Sequence, residues 1–434
     1  MTPLIIGIIC FLILIVLLAL GVNVGTTMAL VAFGGMASIL TLDASMVKMA
    51  TVPFSIMNDY NFAVMPMFVL MANIIASTGV GKSLYDLFYV TIGRFRGGLA
   101  MSTILACAVF AAISSTTVAT AVTIGLIALP EMKKMKYSDA LSTGSIAAGG
   151  TLGVLIPPSS VMINYAIMAQ IGVTELFVAG IIPGIILAVF MCIAIQFTCI
   201  KDKNAGPAGP KFSAKEAWTA FMRCGEIIIL IIVVLVGMFI GFFTPTEASA
   251  VGAAGAIIIT LVRRRLTWTN FLEAIKGTLK NTGMIYFILI GAFIMNSFVA
   301  MTTIPTALSN LIVGLNMDYR IVTIFVIAIY LILGCFLDSL AMVLLTVPIF
   351  LPVMLSLGAD PIWFGIIVVL AMQMGCITPP VGMNVYVTAG LDKSIPMATV
   401  FKGIVPFLIA MIASVVILIL FPNLVTFLPS LLQR

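Results

Sequence analysis

The sequence predicts an all-α polytopic membrane protein, and three observations carry that prediction. Of 434 residues, 62% are hydrophobic and only 8% are charged. The mean hydropathy is +1.27. Apolar runs long enough to cross a bilayer, about 20 residues each, recur along the whole chain. A soluble domain is about 45–50% apolar and about 25% charged, so a chain this poor in charge could not cover a water-facing surface.

The runs can be taken in order. Residues 3–20 carry almost no polar atom, no basic flank and no small-residue cleavage site, so they read as a first span and not a removed signal peptide. Counting that first run as 3–21, apolar segments lie at 3–21, 24–41, 62–78, 98–131, 141–171, 176–200, 225–243, 247–262, 281–301, 321–355, 361–391 and 399–422. Segments 98–131 and 321–355 are too long for one simple span. Segments 141–171 and 361–391 are also long and hold Pro157-Pro158 and Pro379-Pro380 in their middles. Residues 79–96 and 302–318 mix charged with apolar residues and read as interfacial amphipathic helices, either braces between a moving and a fixed domain or plain connectors. The polar, Gly- and Pro-rich stretch 201–215 reads as a solvated loop. It divides the chain into 1–200 and 225–434, with 201–224 as a cytoplasmic linker.

The two parts look like copies. A shift of 222 residues places Leu129 on Leu351, Pro130 on Pro352, Met132 on Met354, Gly153 on Gly375 and Pro157-Pro158 on Pro379-Pro380. A shift of 223 pairs Gly180-Ile181 with Gly403-Ile404 and Pro183 with Pro406. Coincident Pro and Gly carry weight because those residues fix backbone shape. If 98–131 and 321–355 are re-entrant hairpins and the N-terminus lies outside, eighteen of the 21 basic residues fall in cytoplasmic segments, and only Lys48, Arg320 and Arg434 stay outside. Making 98–131 two full spans and 141–171 the hairpin would put the 201–215 loop and Arg263-Arg264-Arg265 outside, against the positive-inside rule. Each copy then holds five spans and one hairpin, about ten spans in all, and the odd count inverts the second copy. Inverted repeats with interrupted helices mark secondary transporters.

The chain has no histidine. Its seven cysteines are scattered through apolar stretches without a CxxC pair, which leaves no zinc, haem or iron–sulfur pattern and no histidine catalyst. No organic cofactor is implied. The net charge of +6 is explained by cytoplasmic loops and calls for no nucleic acid. The polar points are the hairpin turns, Ala112-Ile113-Ser114-Ser115-Thr116-Thr117 and Gly334-Cys335-Phe336-Leu337-Asp338-Ser339, and the two Pro-Pro breaks. Hydroxyls and carbonyls are hard oxygen ligands suited to Na⁺, although serines and threonines also bond back to their own helix. Two prolines remove two donors, unwind the helix and free carbonyls such as those of Ile156 and Thr378. The half-helix after each break presents amides to an anion. Ser159, Ser160, Asn164, Gly382 and Asn384 stand where they would line such a cavity. Asp338 is a carboxylate expected within the membrane, a site candidate unless the tip reaches water.

These residues resemble a known family. The duplicated plan, the Ile113-Ser114-Ser115-Thr116 turn, the Gly153-Val154-Leu155-Ile156-Pro157-Pro158-Ser159 motif and the Thr378-Pro379-Pro380-Val381-Gly382 motif resemble the large membrane subunit of tripartite ATP-independent periplasmic (TRAP) transporters, over essentially the whole chain. The resemblance implies Na⁺-driven import of a carboxylate, such as a C4-dicarboxylate or sialic acid, across the bacterial inner membrane. It implies a periplasmic substrate-binding protein and a small four-helix membrane subunit, here expected as a separate chain. It also implies an elevator mechanism in the lipid bilayer. By position, Ser114, Ser115 and Thr116 with Gly153, Ile156 and Pro157 would form one Na⁺ site. Asp338 and Ser339 with Gly375, Thr378 and Pro379 would form its partner. The second copy has Val381-Gly382 where the first has Ser159-Ser160, so the two sites need not be equivalent.

Other readings are a one-component carboxylate carrier, an intramembrane aspartyl enzyme, which lacks a second mid-membrane aspartate, and a channel, which lacks a potassium-type pore loop.

Overall fold

The computed structural model describes residues 2–432 except 78, 115, 316 and 336. It is helical, with no strand among the described residues. The first half runs α1 (Pro3–Ala19), α2 (Val24–Ile39), α3 (Leu42–Asn58), α4 (Val64–Ala76), α5 (Val80–Ile92), α6 (Gly98–Ser114), α7 (Thr117–Lys134), α8 (Asp139–Leu155), α9 (Ser160–Ala169) and α10 (Val173–Lys201). The second runs α11 (Ala214–Phe239), α12 (Pro245–Val262), α13 (Trp268–Met301), α14 (Ile304–Gly314), α15 (Tyr319–Gly334), α16 (Ser339–Ser356), α17 (Pro361–Gly375), α18 (Met383–Leu391), α19 (Met397–Leu420) and α20 (Asn423–Leu432). The helix pairs α6–α7 and α15–α16 fall in the segments expected to form hairpins. The pairs α8–α9 and α17–α18 are the expected helices broken at Pro-Pro. Helices α5 and α14 are the two short amphipathic elements.

Among the described residues, seven helices are long and apolar enough to cross alone, eight if a bent pair counts as one, while α1, α2 and α17 are shorter, at 17, 16 and 15 residues. Two expectations change. The linker is shorter than 201–224, because Ser213 and Glu216 form a capping box that starts α11 at Ala214. Helix α3, absent from the apolar runs, is present and meets α4 at a bend of 59°, where Asp59 caps the short turn Tyr60–Ala63. Its counterpart α13 is one unbroken helix of 34 residues.

Burial separates two classes of helix. Every residue of α8 from Leu141 to Leu155, and of α17 from Ile362 to Gly375, is buried. A helix buried on every side belongs in a core, and the hydroxyls of Ser142, Thr143, Ser145 and Thr151 on α8 are satisfied by backbone carbonyls three or four residues earlier. By contrast, α1 and α11 expose Ile5, Leu12, Val16, Ile229, Ile232 and Val236, a surface that hydrocarbon, not water, would cover. The halves interlock. Helix α2 packs on α13 and α4 on α12, while α7 packs on α18 and α9 on α16. Glycines permit the closest crossings. A Cβ on Gly291 would lie 2.3 Å from the Gly25 carbonyl oxygen, and one on Gly334 would lie 2.7 Å from the Gly375 Cα, the small-residue packing of membrane helices.

Candidate functional site

The second helix of each hairpin begins on a capping residue, and the caps lie 222 residues apart. The Thr116 side chain accepts a hydrogen bond from the Ala119 N–H at 3.3 Å. The exposed Asp338 accepts one from the Leu340 N–H at 3.2 Å. The broken helices repeat the rule, with Ser138 accepting from Leu141 N–H at 3.3 Å and Asp360 from Ile362 N–H at 2.8 Å. Thr and Asp do the same work here, since either oxygen satisfies an orphan amide of the first turn.

The first hairpin gathers an oxygen cluster. Ser114 Oγ and Thr120 Oγ1 share a hydrogen bond, and the Thr116 carbonyl accepts from Thr120 Oγ1 at 2.9 Å and from Ser114 Oγ at 3.3 Å. Gly153 of α8 faces this cluster, and its missing Cβ would sit 3.1 Å from both Thr116 O and Thr120 Oγ1. The structure therefore brings Ser114, Thr116 and Gly153 together and adds Thr120, which sequence reasoning missed. Its spacing, four residues after Thr116, places both on one helix face. Ser115 lies outside the described residues. The Ile156 and Pro157 side chains line an apolar groove of about 750 Å³ with α6 and α10.

The second hairpin meets its break through sulfur and amide. Cys335 Sγ donates towards the Pro379 carbonyl at 3.2 Å and lies 3.7 Å from that of Thr378. Ser339 Oγ lies 3.4 Å from Cys376 Sγ and accepts from Gln373 Nε2 at 3.4 Å. Thr378 Oγ1 turns back to the Met374 carbonyl at 2.6 Å. Ser339, Thr378 and Pro379 thus converge with Cys335, Gln373 and Cys376, three residues that had not been singled out as candidates. Gly375 packs on Gly334. A glutamine in an otherwise apolar helix, six residues before Pro-Pro, was the available signal.

Both breaks contain a cis Pro-Pro bond. Around the first, Pro157, Pro158 and Ser159 are buried, and Ser159 Oγ caps α9 by accepting from Met162 N–H at 3.3 Å. Around the second, Pro379, Pro380 and Val381 are exposed. There Gly382 starts α18 at φ +56°, a left-handed conformation that favours glycine. Ser160 opens α9, and Asn164 donates to the Ser160 carbonyl at 2.6 Å. Asn384 does not join Ser159, Ser160 and Asn164. It reaches α8 instead, donating to the Ala147 carbonyl at 3.4 Å.

On the face carrying the basic loops, Lys133 at the end of α7 pairs with Asp392 after α18. That bond, with the Ser394 hydroxyl, holds the Asp392 carboxyl well below the ordinary range. Arg263 grips Glu226 through two nitrogens, with the shortest contact 2.6 Å. Among the described residues no cluster of acidic or Cys side chains could hold a multivalent metal ion.

The comparisons with known proteins agree. The family described as "Tripartite ATP-independent periplasmic transporter, DctM component" matches residues 11–424. The C4-dicarboxylate TRAP transporter large permease protein DctM of Pseudomonas aeruginosa is 32% identical over 92% of this chain and 91% of its own. The sialic acid TRAP transporter large permease SiaM of Vibrio cholerae is 28% identical over 86% and 87%. An isethionate TRAP permease, DctMQ of Oleidesulfovibrio alaskensis, is 29% identical over 94% of this chain but only 63% of its own. Among solved structures, the YdaH transporter of Alcanivorax borkumensis superposes with a TM-score of 0.60 at 12% identity, covering 84% of this chain and 86% of its own. MtrF of Neisseria gonorrhoeae superposes at 0.54 and 14%, covering 96% and 95%. These two show the fold alone. The relatives are named as transporter permeases, not enzymes, and the chain belongs to the DctM family of TRAP transporter large permeases.

Proposed function

We propose that this chain carries a carboxylate solute into the cell by Na⁺ symport, as the moving and scaffold core of a three-component importer in the inner membrane. The observation that carries the Na⁺ reading is the all-oxygen cluster at the first hairpin. Thr116 O, Thr120 Oγ1 and Ser114 Oγ meet over a glycine whose side chain would fill the space. Carbonyl and hydroxyl oxygens suit a hard monovalent cation. By the same logic Ser115, Ile156 and Pro157 belong to that site, and Asp338, Ser339, Gly375, Thr378 and Pro379 to a second one on the other hairpin.

The solute's carboxylate meets no arginine near either break. It is held by hydroxyls and the N-terminal amides of α9 and α18, with Ser159, Ser160, Asn164 and Gly382 nearest. A cavity of about 800 Å³ opens between the α9–α10 turn, the start of α12 and the α3–α4 bend, lined by Asn61, Gln170, Thr174 and Thr246 among others. The positive-inside rule puts this face in the periplasm, where a binding protein delivers the solute. The recurring order of elements supports an inverted repeat, and its hairpins and broken helices are the elements that move in an elevator. The fused architecture suggested by the longer DctMQ relative supports a small membrane subunit as partner.

The test is uptake in proteoliposomes holding this chain and its small subunit, with and without the binding protein and an inward Na⁺ gradient. Uptake that needs both is expected. Uptake without the binding protein would mean a one-component carrier. Uptake indifferent to Na⁺ would remove the symport reading.

A further inference from the structure

Asn164, Gln373 and Asn384 each bury a side-chain carbonyl oxygen that has no hydrogen-bond partner. Asn384 is the one that joins the two halves. Its backbone N–H donates to the Cys376 carbonyl at 3.1 Å, closing the second break. Its side chain reaches the first half, where Nδ2 donates to the Ala147 carbonyl at 3.4 Å. A Cβ on Gly150 would lie 3.3 Å from Asn384 Nδ2 and 3.0 Å from the Thr117 carbonyl oxygen. One helical turn along α8, the same construction on Gly153 meets Thr116 O and Thr120 Oγ1. Asn384 is therefore fully buried against α8, one turn from the glycine that faces the oxygen cluster of the first hairpin.

The amide orientation is fixed by its neighbour. Turning it over would set its oxygen against the Ala147 carbonyl, acceptor against acceptor. The free atom is therefore the oxygen. A buried polar atom left unpaired calls for an explanation. The chain groups placed near this amide are the Ala147 and Thr117 carbonyls, acceptors that cannot partner its oxygen, which is left for a cation or another donor from outside the chain.

We propose that Asn384 couples the two sites. Its side-chain oxygen is drawn to a cation held by the first hairpin, while its N–H fixes the shape of the second break. Filling the first site then sets the geometry of the second, and Na⁺ binds cooperatively. The inference rests on the Na⁺ reading above and is tested without uptake. Radioactive Na⁺ binding, and melting in NaCl against choline chloride, are measured on the chain with its small subunit in nanodiscs. Wild type is expected to bind with a Hill coefficient above one. Asn384→Ala should bring it to one and raise the half-saturating Na⁺ concentration about 5–150-fold, the usual range of site–site coupling. Asn384→Asp, which keeps an oxygen, should retain cooperativity. Asn384→Leu, which keeps the volume, should lose it and serves if the alanine variant fails to fold. Wild type that binds no Na⁺ would overturn the symport reading and the coupling with it. Cooperative wild type with an equally cooperative Asn384→Leu or Asn384→Ala, or non-cooperative wild type, would overturn the coupling alone.

Discussion

The two hairpin-and-break pairs occupy equivalent places in the chain and are built from different chemistry. The first is made of oxygen, with Ser114, Thr116 and Thr120 over Gly153 and a buried break. The second is made of sulfur and amide, with Cys335 on the carbonyls of Thr378 and Pro379, and Gln373 on Ser339, beside an exposed break. The backbone devices are shared: a cap 222 residues away, a cis Pro-Pro and a close glycine. The devices that shape the backbone are alike in the two pairs, and the side chains around them differ. The first pair gathers hard oxygen donors. In the second, a thiol lies against the freed carbonyls of Thr378 and Pro379.

The largest test of this difference is steric. Gly334 meets the backbone of Gly375, whereas its first-half equivalent is already Ala112. Gly334→Ala should cost about 1–3 kcal/mol through overpacking, while Ala112→Gly should cost only about 0.5–1 kcal/mol. Detergent melting curves of both variants check this, and equal losses would mean the two crossings are equally tight.

Next comes Gln373. Replacing it by Met removes a buried amide oxygen without a partner, so stability should rise by up to about 1–3 kcal/mol while Na⁺-driven uptake falls. Unchanged uptake would make the glutamine a packing residue.

Asp338→Asn separates capping from ion binding. Asn caps as well as Asp, so melting should move by less than about 0.5 kcal/mol, while the Na⁺ required for uptake rises. Asp338→Ala should lose the cap as well, about 0.5–2 kcal/mol. A normal Na⁺ dependence in Asp338→Asn would leave the carboxylate as a cap only.

The smallest effect belongs to Lys133–Asp392, a surface pair linking the first hairpin to the second broken helix. The folded-state pKa of Asp392 is depressed. Its contribution is therefore complete above the ordinary carboxylate range and is lost as pH falls through that range towards the folded value. Asp392→Asn should melt slightly below wild type at pH 7, with the gap narrowing as pH is lowered and as salt screens the pair.

Much of this was legible in the residues, for identifiable reasons. Pro157-Pro158 and Pro379-Pro380 announce themselves because proline dictates backbone shape, and hairpins longer than one span follow from counting apolar residues. The equivalence of Thr116 and Asp338 stayed hidden because the letters differ although the capping chemistry is the same. Helix α3 was missed because Asp43, Lys48 and Asp59 interrupt its hydropathy. Asn384 was assigned to the break that carries it. Only the packing of α18 on α7 and α8 shows that its side chain belongs to the other half, and no local pattern encodes a contact between residues so far apart.

The packing of α2 against α13 has a consequence for how the protein is made. Ribosomes add about 5–20 residues per second, so α2 leaves the ribosome about 13–50 s before the end of the helix it packs against. During that interval Gly25 and its neighbours face lipid with their intended partner unsynthesised. The nascent first half is an open template, and whatever accompanies it in the membrane must keep it from pairing with the wrong helix until α13 arrives.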